Sequence, residues 1–577
     1  MKKTLLKILL LCMAICSVIY VFTACGNGNN VTVTFDTQGG SKIAPITLMK
    51  GETINRPEDP IKEGYEMVGW FIDGEEWSFI GFAVTKDIVL TAKWDTVNYT
   101  IDYDLRGGIN SPDNPTTYTI ESELTLTPPR KDDYVFMGWD DGGTIEKGSI
   151  GTKTFTANWE SYNNVLTVKK NTITGLTEYG KTLNTIVIPE KIKGESITGI
   201  GDSAFSQNDV LSDVIISSNI TNIGYYAFEG CSNLETITIP NGVTNISNRA
   251  FYNCCRLVSV NIPYSVKSIG DLTFCRCSCL ISINVDVDNE YYLSMDGNLY
   301  KKNGQTLIQY AIGKTATTFT IPNSVAVIGI YAFSYCDNLK TLIIPESVKK
   351  IEDYALEFCN GLEIIAIPNS VISIGSGAFY NCNKLTTLTI PNSVKSIGDM
   401  ALSACSSLEY NKYDNGLYLG NEDNPFFVLV TVISKNITSC KINNNTRMIY
   451  YAAFWNCVNL NSIIIPDNII CIGDNVFWNC VELTNVIIGQ NVISIGRSAF
   501  SNCISLESVT IPKSVVNIGE YAFSSCSSLT SVIFKNTTGW QISTSAMVGS
   551  VPIIVTNDTN VATYLKSTYD NYCWICK

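Results

Sequence analysis

The chain has no histidine among its 577 residues. That removes Ser-His-Asp and Cys-His nucleophile pairs, histidine general bases and histidine-containing metal sites. Charge is scarce as well: 16% of residues are charged, and 53 acidic side chains against 40 basic ones leave a net charge of −13. A nucleic-acid partner needs a basic face, so none is expected. No Gly-rich phosphate loop precedes a helical pattern, and no carboxylate pair stands out from the background, so neither a cofactor nor an enzymatic centre is expected. What the chain does have is 45% hydrophobic residues, which excludes a disordered polymer.

Cysteine is plentiful, with 21 residues. In a small secreted protein that number would suggest a disulfide framework. Position argues otherwise. Cys231, Cys254, Cys277, Cys336, Cys359, Cys382, Cys405, Cys457, Cys480, Cys503 and Cys526 all fall at one phase of a 23-residue repeat. A free cysteine behaves as a small buried hydrophobe, so a packed ladder is expected, rather than bridges between coils whose parallel side-chain vectors suit pairing poorly.

The repeat is clearest in 368–390, and Pro322, Pro345, Pro368 and Pro391 follow each other at 23 residues without a slip. Copies begin at residues 194, 217, 240, 263, 322, 345, 368, 391, 443, 466, 489 and 512. With the first residue as position 0, proline closes the preceding strand because it cannot donate to a ladder. The Ile-Gly pair at positions 6 and 7 (Ile374-Gly375, Ile397-Gly398) turns the chain inward, the glycine being expected to take a positive φ. Ala-Phe at positions 10 and 11 suits a short helical turn with the Phe inside, and Cys at position 14 packs behind it. Leu234-Ile237-Ile239 then reads as a strand alternating with period 2.

C-x-x-L-x-x-I-x-I-P is the leucine-rich-repeat pattern in cyclic permutation. The form I-P, I-G, A-F, C-x-x-L resembles the BspA-type, or Treponema-type, leucine-rich repeat. The expected fold is therefore mainly β, a right-handed leucine-rich-repeat solenoid with short helical turns over 194–534. Residues 286–316 and 409–442 interrupt the register. Asp-Gly and Asn-Gly turns between aromatic-rich segments predict a β-hairpin in 286–316, and 409–442 has the same character. Both resemble inserts found within the family. Residues 161–193 form a linker and N-terminal cap, and the aromatic tail 535–577 resembles the family's C-terminal cap.

Residues 1–25 have a basic start, an apolar run and Phe22-Thr23-Ala24-Cys25, which reads as a secretory signal ending in a lipobox. Cys25 is the expected lipid-attachment site, the alternatives being an ordinary signal peptide or an uncleaved anchor, and 26–30 is a flexible tether, so the membrane is expected to be met only through the anchor. Residues 31–95 and 96–160 are two related modules with Gly39-Gly40 and Gly107-Gly108 turns and the pairs Gly69-Trp70 and Gly138-Trp139. They resemble the Listeria–Bacteroides repeat, a small β-grasp-like unit of bacterial surface proteins that serves as spacer or binding module. The tryptophans are expected in the core.

Three polar clusters read as structural. Asp286, Asp288 and Glu290 lack the pattern of an EF-hand loop. Cys573-Trp574-Ile575-Cys576 lacks the βαβ context of a redox motif, and Cys275, Cys277 and Cys279 fit no zinc knuckle. The stronger signal is a surface. In the strands positions 17, 20 and 22 point inward, leaving 19 and 21 outward. Position 19 is mostly small and polar, while position 21 is half aliphatic. Ile215, Thr238, Ile343, Ala366, Thr389, Ile464, Ile487, Thr510 and Ile533 are therefore the candidate binding face. With the lipid anchor expected at Cys25, the chain reads as a lipid-anchored bacterial cell-surface protein that binds proteins, and the resemblance implies partners in the host extracellular matrix or on other cell surfaces. The alternative is a structural scaffold or spacer without a specific ligand, in which the β-branched residues merely suit strands.

Overall fold

The structure, a computed structural model, describes residues 29–543, 551–552 and 559–576. The expected signal over residues 1–25, with Cys25, lies outside these residues. Two compact units form: one holds the described residues up to Pro129 with Gly138–Asn158, the other Arg130–Met137 with those from Trp159 on.

In the first unit, alternation in Asn30–Asp36 buries Val31, Val33 and Phe35. This strand pairs in parallel with Ile88–Thr96, and Ile46–Met49, Tyr65–Ile72 and Glu75–Glu76 complete a five-stranded sheet. Trp70 is buried and meets Phe35 edge-on at 5.0 Å. The Trp94 indole N–H donates to the Thr37 carbonyl at 2.9 Å. Its ring fills the space beside Gly40, where a Cβ would come within 2.6 Å of it. The same parallel pairing recurs in the second module between Tyr99–Asp104 and Lys153–Ser161, with Ile101 opposite Lys153, and Trp139 is buried.

The second unit is a β-solenoid of about 16 turns. Positions 19 to 21 of successive coils form one parallel ladder, as in Thr341–Ile343 opposite Thr318–Thr320, with Phe319 against Leu342. Positions 5 and 6 form a second, as in Val327–Ile328 against Lys350–Ile351. The corner between them keeps the backward three-residue hydrogen bonds of a short helical turn: the amides of Ala332, Ser334 and Cys336 donate to Gly329, Tyr331 and Phe333. Left-handed residues bend it into overlapping reverse turns. Every copy has φ between 53° and 69° at positions 9 and 13, for example Tyr331 and Tyr335.

The positive φ expected of the position-7 glycine is therefore not found there. That glycine is needed for a close approach instead. A Cβ on Gly375 would lie 2.4 Å from the backbone of Glu352 and Asp353 in the preceding coil.

Alternate amides at the corner point to the next coil. Those of positions 9, 11 and 13 donate to carbonyls 8, 10 and 12 of the following copy, as Tyr331 to Asp353, Phe333 to Ala355 and Tyr335 to Glu357. Nine of the twelve copies make all three bonds. Inside, Phe205, Phe228, Phe251 and Phe274 stack with centroids 4.9, 5.3 and 5.7 Å apart. Phe454, Phe477, Phe500 and Phe523 repeat this at 5.0, 5.0 and 5.2 Å.

The eleven phased cysteines are all buried and free. Nine of their thiols donate to the carbonyl of position 11 in the preceding coil, such as Cys231 to Phe205 at 3.1 Å. The other two, Cys336 and Cys457, lie in the first copies after the inserts, where no regular coil precedes them.

The inserts are hairpins extended to three strands. Tyr292–Met295 and Asn298–Lys301 meet at the Asp296-Gly297 turn, and Thr306–Gln309 pairs back antiparallel. That third strand then enters the position-5/6 ladder beside Val327–Ile328. In the second insert Asn411–Tyr413, Gly416–Leu419 and Val428–Val432 do the same against Met448–Ile449. At the start, Thr172–Leu176 begins the ladder on Gly199–Ile200 and Leu166–Lys169 covers its outer edge. At the far end Cys573–Cys576 pairs antiparallel with Asn517–Ile518. The buried residues fall into three clusters, meeting near the inserts.

Candidate functional site

The strand face alternates as the sequence predicts. Leu342, Ile463, Val486 and Val532, at position 20, are buried. At position 21, Ile343 is 47% exposed, Ile464 64%, Ile487 52% and Ile533 42%. Thr238 and Ala366 are exposed, while Ile215, Thr389 and Thr510 are half-buried. Register joins them in pairs: Ile464 opposite Ile487, Ala366 opposite Thr389, and Thr510 opposite Ile533.

The nine candidates do not form one strip. The position-19-to-21 ladder is divided among separate sheets. Ile215 and Thr238 precede the first insert; Ile343, Ala366 and Thr389 lie between the inserts; and Ile464, Ile487, Thr510 and Ile533 follow the second. Ile364, at position 19, is 57% exposed and belongs with the middle group. Reading position 19 copy by copy, rather than by its dominant type, identifies it.

The second insert shapes the face on both of its sides. Towards the C-terminus, Asp414, Cys440 and Lys441 from the insert and Ile464, Ile487 and Pro466 from the coils line a depression of about 820 Å3. Towards the N-terminus, Thr387 and Thr389 join Tyr410, Asn421 and Pro425 around one of about 370 Å3. These depressions depend on where the insert folds back, which no periodicity reports.

Electrostatically the face is bland. Over the eleven copies with a complete strand, Asp213 is the sole charged residue at positions 19 and 21. Burial raises its carboxyl above the usual range, although it accepts a hydrogen bond from Thr236 Oγ1 at 3.3 Å. A weakly charged, partly aliphatic face with depressions suits non-polar contact with a protein surface.

The remaining chemical candidates are dispersed. Asp286 Oδ1 accepts the backbone N–H of Asp288, both residues being exposed. Among the described residues no group of three or more His, Cys, Asp or Glu side chains could hold a metal ion. Cys573 and Cys576 are free on a strand whose Trp574 is buried. Cys275 and Cys277 are buried and Cys279 is exposed. One aromatic feature has no counterpart among the sequence-based expectations: Trp455 and Trp478, at position 12, stack at 5.7 Å, with Trp455 exposed. Among the described residues no helix is long and apolar enough to cross a membrane.

Solenoid and modules together define a bacterial repeat protein. Residues 198–294, 310–422 and 433–550, more than half of the chain, match the BspA type leucine rich repeat region in six copies. Residues 32–93 and 99–162 match the Listeria-Bacteroides repeat domain. The chain belongs to the BspA type leucine-rich repeat family. Internalin H of Listeria monocytogenes is 33% identical over 117 residues, 20% of each chain. A protein of Evansella cellulosilytica whose name describes a membrane protein is 34% identical over 119 residues, 19% of this chain and 17% of its own length. The chain thus spans a fifth or less of the curated relatives it matches. The solved leucine-rich repeat protein of Eubacterium ventriosum is 24% identical and covers 64% of this chain and 92% of its own, with a TM-score of 0.35.

Proposed function

We propose that the chain is a cell-surface protein that binds other proteins through the strand face of its solenoid, held to the membrane by a lipid on Cys25. The observation that carries the reading is the exposure of Ile343, Ile364, Ile464 and Ile487 on strands whose alternate residues are buried. Strand propensity would be met equally by threonine, and aliphatic side chains left in water cost about 1.5–3 kcal/mol each relative to burial. Partners are expected among extracellular-matrix and cell-surface proteins, consistent with a family of bacterial surface repeats. No catalytic activity is assigned to it.

The test uses the chain without its leader, immobilised over purified matrix and surface proteins. Replacing Ile343, Ile464 and Ile487 together with Lys should abolish capture while leaving the circular dichroism spectrum and melting temperature near those of the parent. Capture that survives these changes removes the strand face from consideration. A palmitate analogue should label the full chain in a bacterial host and fail to label Cys25→Ala; equal labelling of both excludes the anchor.

A further inference from the structure

The corner ladder supplies an internal standard. Wherever one regular coil directly follows another, the amides of positions 9, 11 and 13 are taken up by its carbonyls. Two coils are followed by inserts instead, those beginning at residues 263 and 391. The third insert strand is followed by a shorter corner, so it offers no equivalent carbonyls.

The second insert's gap is closed from within. Position 7 of the coil beginning at 443 is Tyr450 where most copies have glycine. Its ring is buried, and its phenol oxygen accepts the Leu402 N–H, the position-11 amide of the coil on the far side, at 2.9 Å.

At the first insert the corresponding position 7 is Gly329 and the corresponding amide is that of Phe274. Among the described residues neither the Phe274 N–H nor the Leu272 N–H has an acceptor. Between Gly329 and Phe274 lies a cavity of about 320 Å3, lined on its apolar side by Leu272, Leu299, Ile308 and Ile330. That volume falls at the lower end of the range for small-ligand pockets, and Asp271, Thr273, Lys301, Thr306, Gln309 and Glu352 supply the polar part of the lining.

We propose that this slot binds a phenol ring, the tyrosine side chain of a protein partner, in the manner in which Tyr450 fills the second gap. A phenol provides a ring for the apolar wall and an oxygen for a backbone donor that no protein group among the described residues satisfies. Phenylalanine would supply the ring and leave the donor unmet. The lining carries two carboxylates, Asp271 and Glu352, against one ammonium, Lys301, a negative balance that disfavours a ligand carboxylate, so the tyrosine enters as an internal residue of a chain. The site uses the coil corner and stands apart from the strand positions 19 and 21.

Calorimetric titration of the chain without its leader distinguishes the outcomes. N-acetyltyrosinamide should bind saturably and at least tenfold more tightly than N-acetylphenylalaninamide, and Ile330→Trp, at an exposed rim position, should abolish the binding. Ile308→Trp, at a second lining position, should act alike. Tyr450→Ala opens the matching gap, and p-cresol should raise the melting temperature of that variant. Equal affinity for the two amides, no saturable heat with N-acetyltyrosinamide, or binding that survives both Trp variants overturns the proposal. Binding of p-cresol without N-acetyltyrosinamide overturns the protein-borne source.

Discussion

The thiol of Cys503 donates to the carbonyl oxygen of Phe477 at 3.2 Å, joining position 14 of one coil to position 11 of the coil before it. Cysteine combines small apolar volume with a weak donor that is needed once per coil. Cys503→Ala removes one of two donors to that carbonyl, which keeps the Cys480 N–H, and opens a small void. The expected cost is about 1–3 kcal/mol, read as a lower midpoint in thermal melts followed by circular dichroism.

Burial also makes these thiols unreactive. It pushes Cys231, Cys336, Cys480 and Cys526 up to about 12 and Cys405 to about 11. The thiolate is the nucleophile, so at mildly alkaline pH iodoacetamide should modify exposed Cys279 in the folded protein and reach the ladder only in guanidinium chloride. Peptide mapping by mass spectrometry reads this. Rapid modification of Cys503 in the native state would show that the coils open readily.

Ser498 sits at position 9 with a φ of 53°. A β-branched side chain is strongly disfavoured in that region, whereas glycine enters it freely. Ser498→Val should destabilise by about 1–3 kcal/mol, and Ser498→Gly should be near neutral. Equal midpoints for the two variants would exclude backbone strain as the reason for the residue choice.

Asp399 faces Asp474 across the second insert, with Arg497 and Tyr451 nearby. Burial, followed by repulsion from Asp474, raises its carboxyl from 3.8 to about 6. The folded state therefore holds a proton that the unfolded state has already lost in this interval. Stability falls as pH rises from about 4 to 6 and stays lower above it. In Asp399→Asn that fall should be smaller, so the variant should gain melting temperature relative to the parent at neutral pH and match it near pH 4. Parallel profiles for both proteins would place the pH dependence elsewhere.

The coil was legible because its inward residues are nearly constant: Phe at position 11, Cys at 14 and Leu at 17 mark the core whatever the outer residues do. The glycine at position 7 was legible as a requirement but misread in cause, since lacking a Cβ serves close approach as well as positive φ. The left-handed sites leave their trace only by exclusion. Across the twelve copies, positions 9 and 13 contain no Val, Ile, Thr or Pro, while Asn recurs at Asn475, Asn253, Asn381, Asn456, Asn479 and Asn502. The last three join their side-chain amides into a ladder. The candidate face was legible residue by residue and not as a surface. Its division follows from both inserts and its depressions from the way 409–442 folds back on the coils, and the Tyr450–Leu402 contact crosses 48 residues of chain.

Each regular junction uses the same backbone groups, amides forward and carbonyls back. Removing residues 345–367 from the middle run would bring Tyr331 N–H against the carbonyl of Ser376, now the carbonyl accepting from Tyr354. No side chain would need to change to restore the bond. Recombination between copies can therefore lengthen or shorten a run in steps of 23 residues, altering the reach of the protein without inventing a new contact. The coils that border the inserts are exempt from this freedom, because their neighbours cannot be exchanged, and they fix the frame within which copy number can drift.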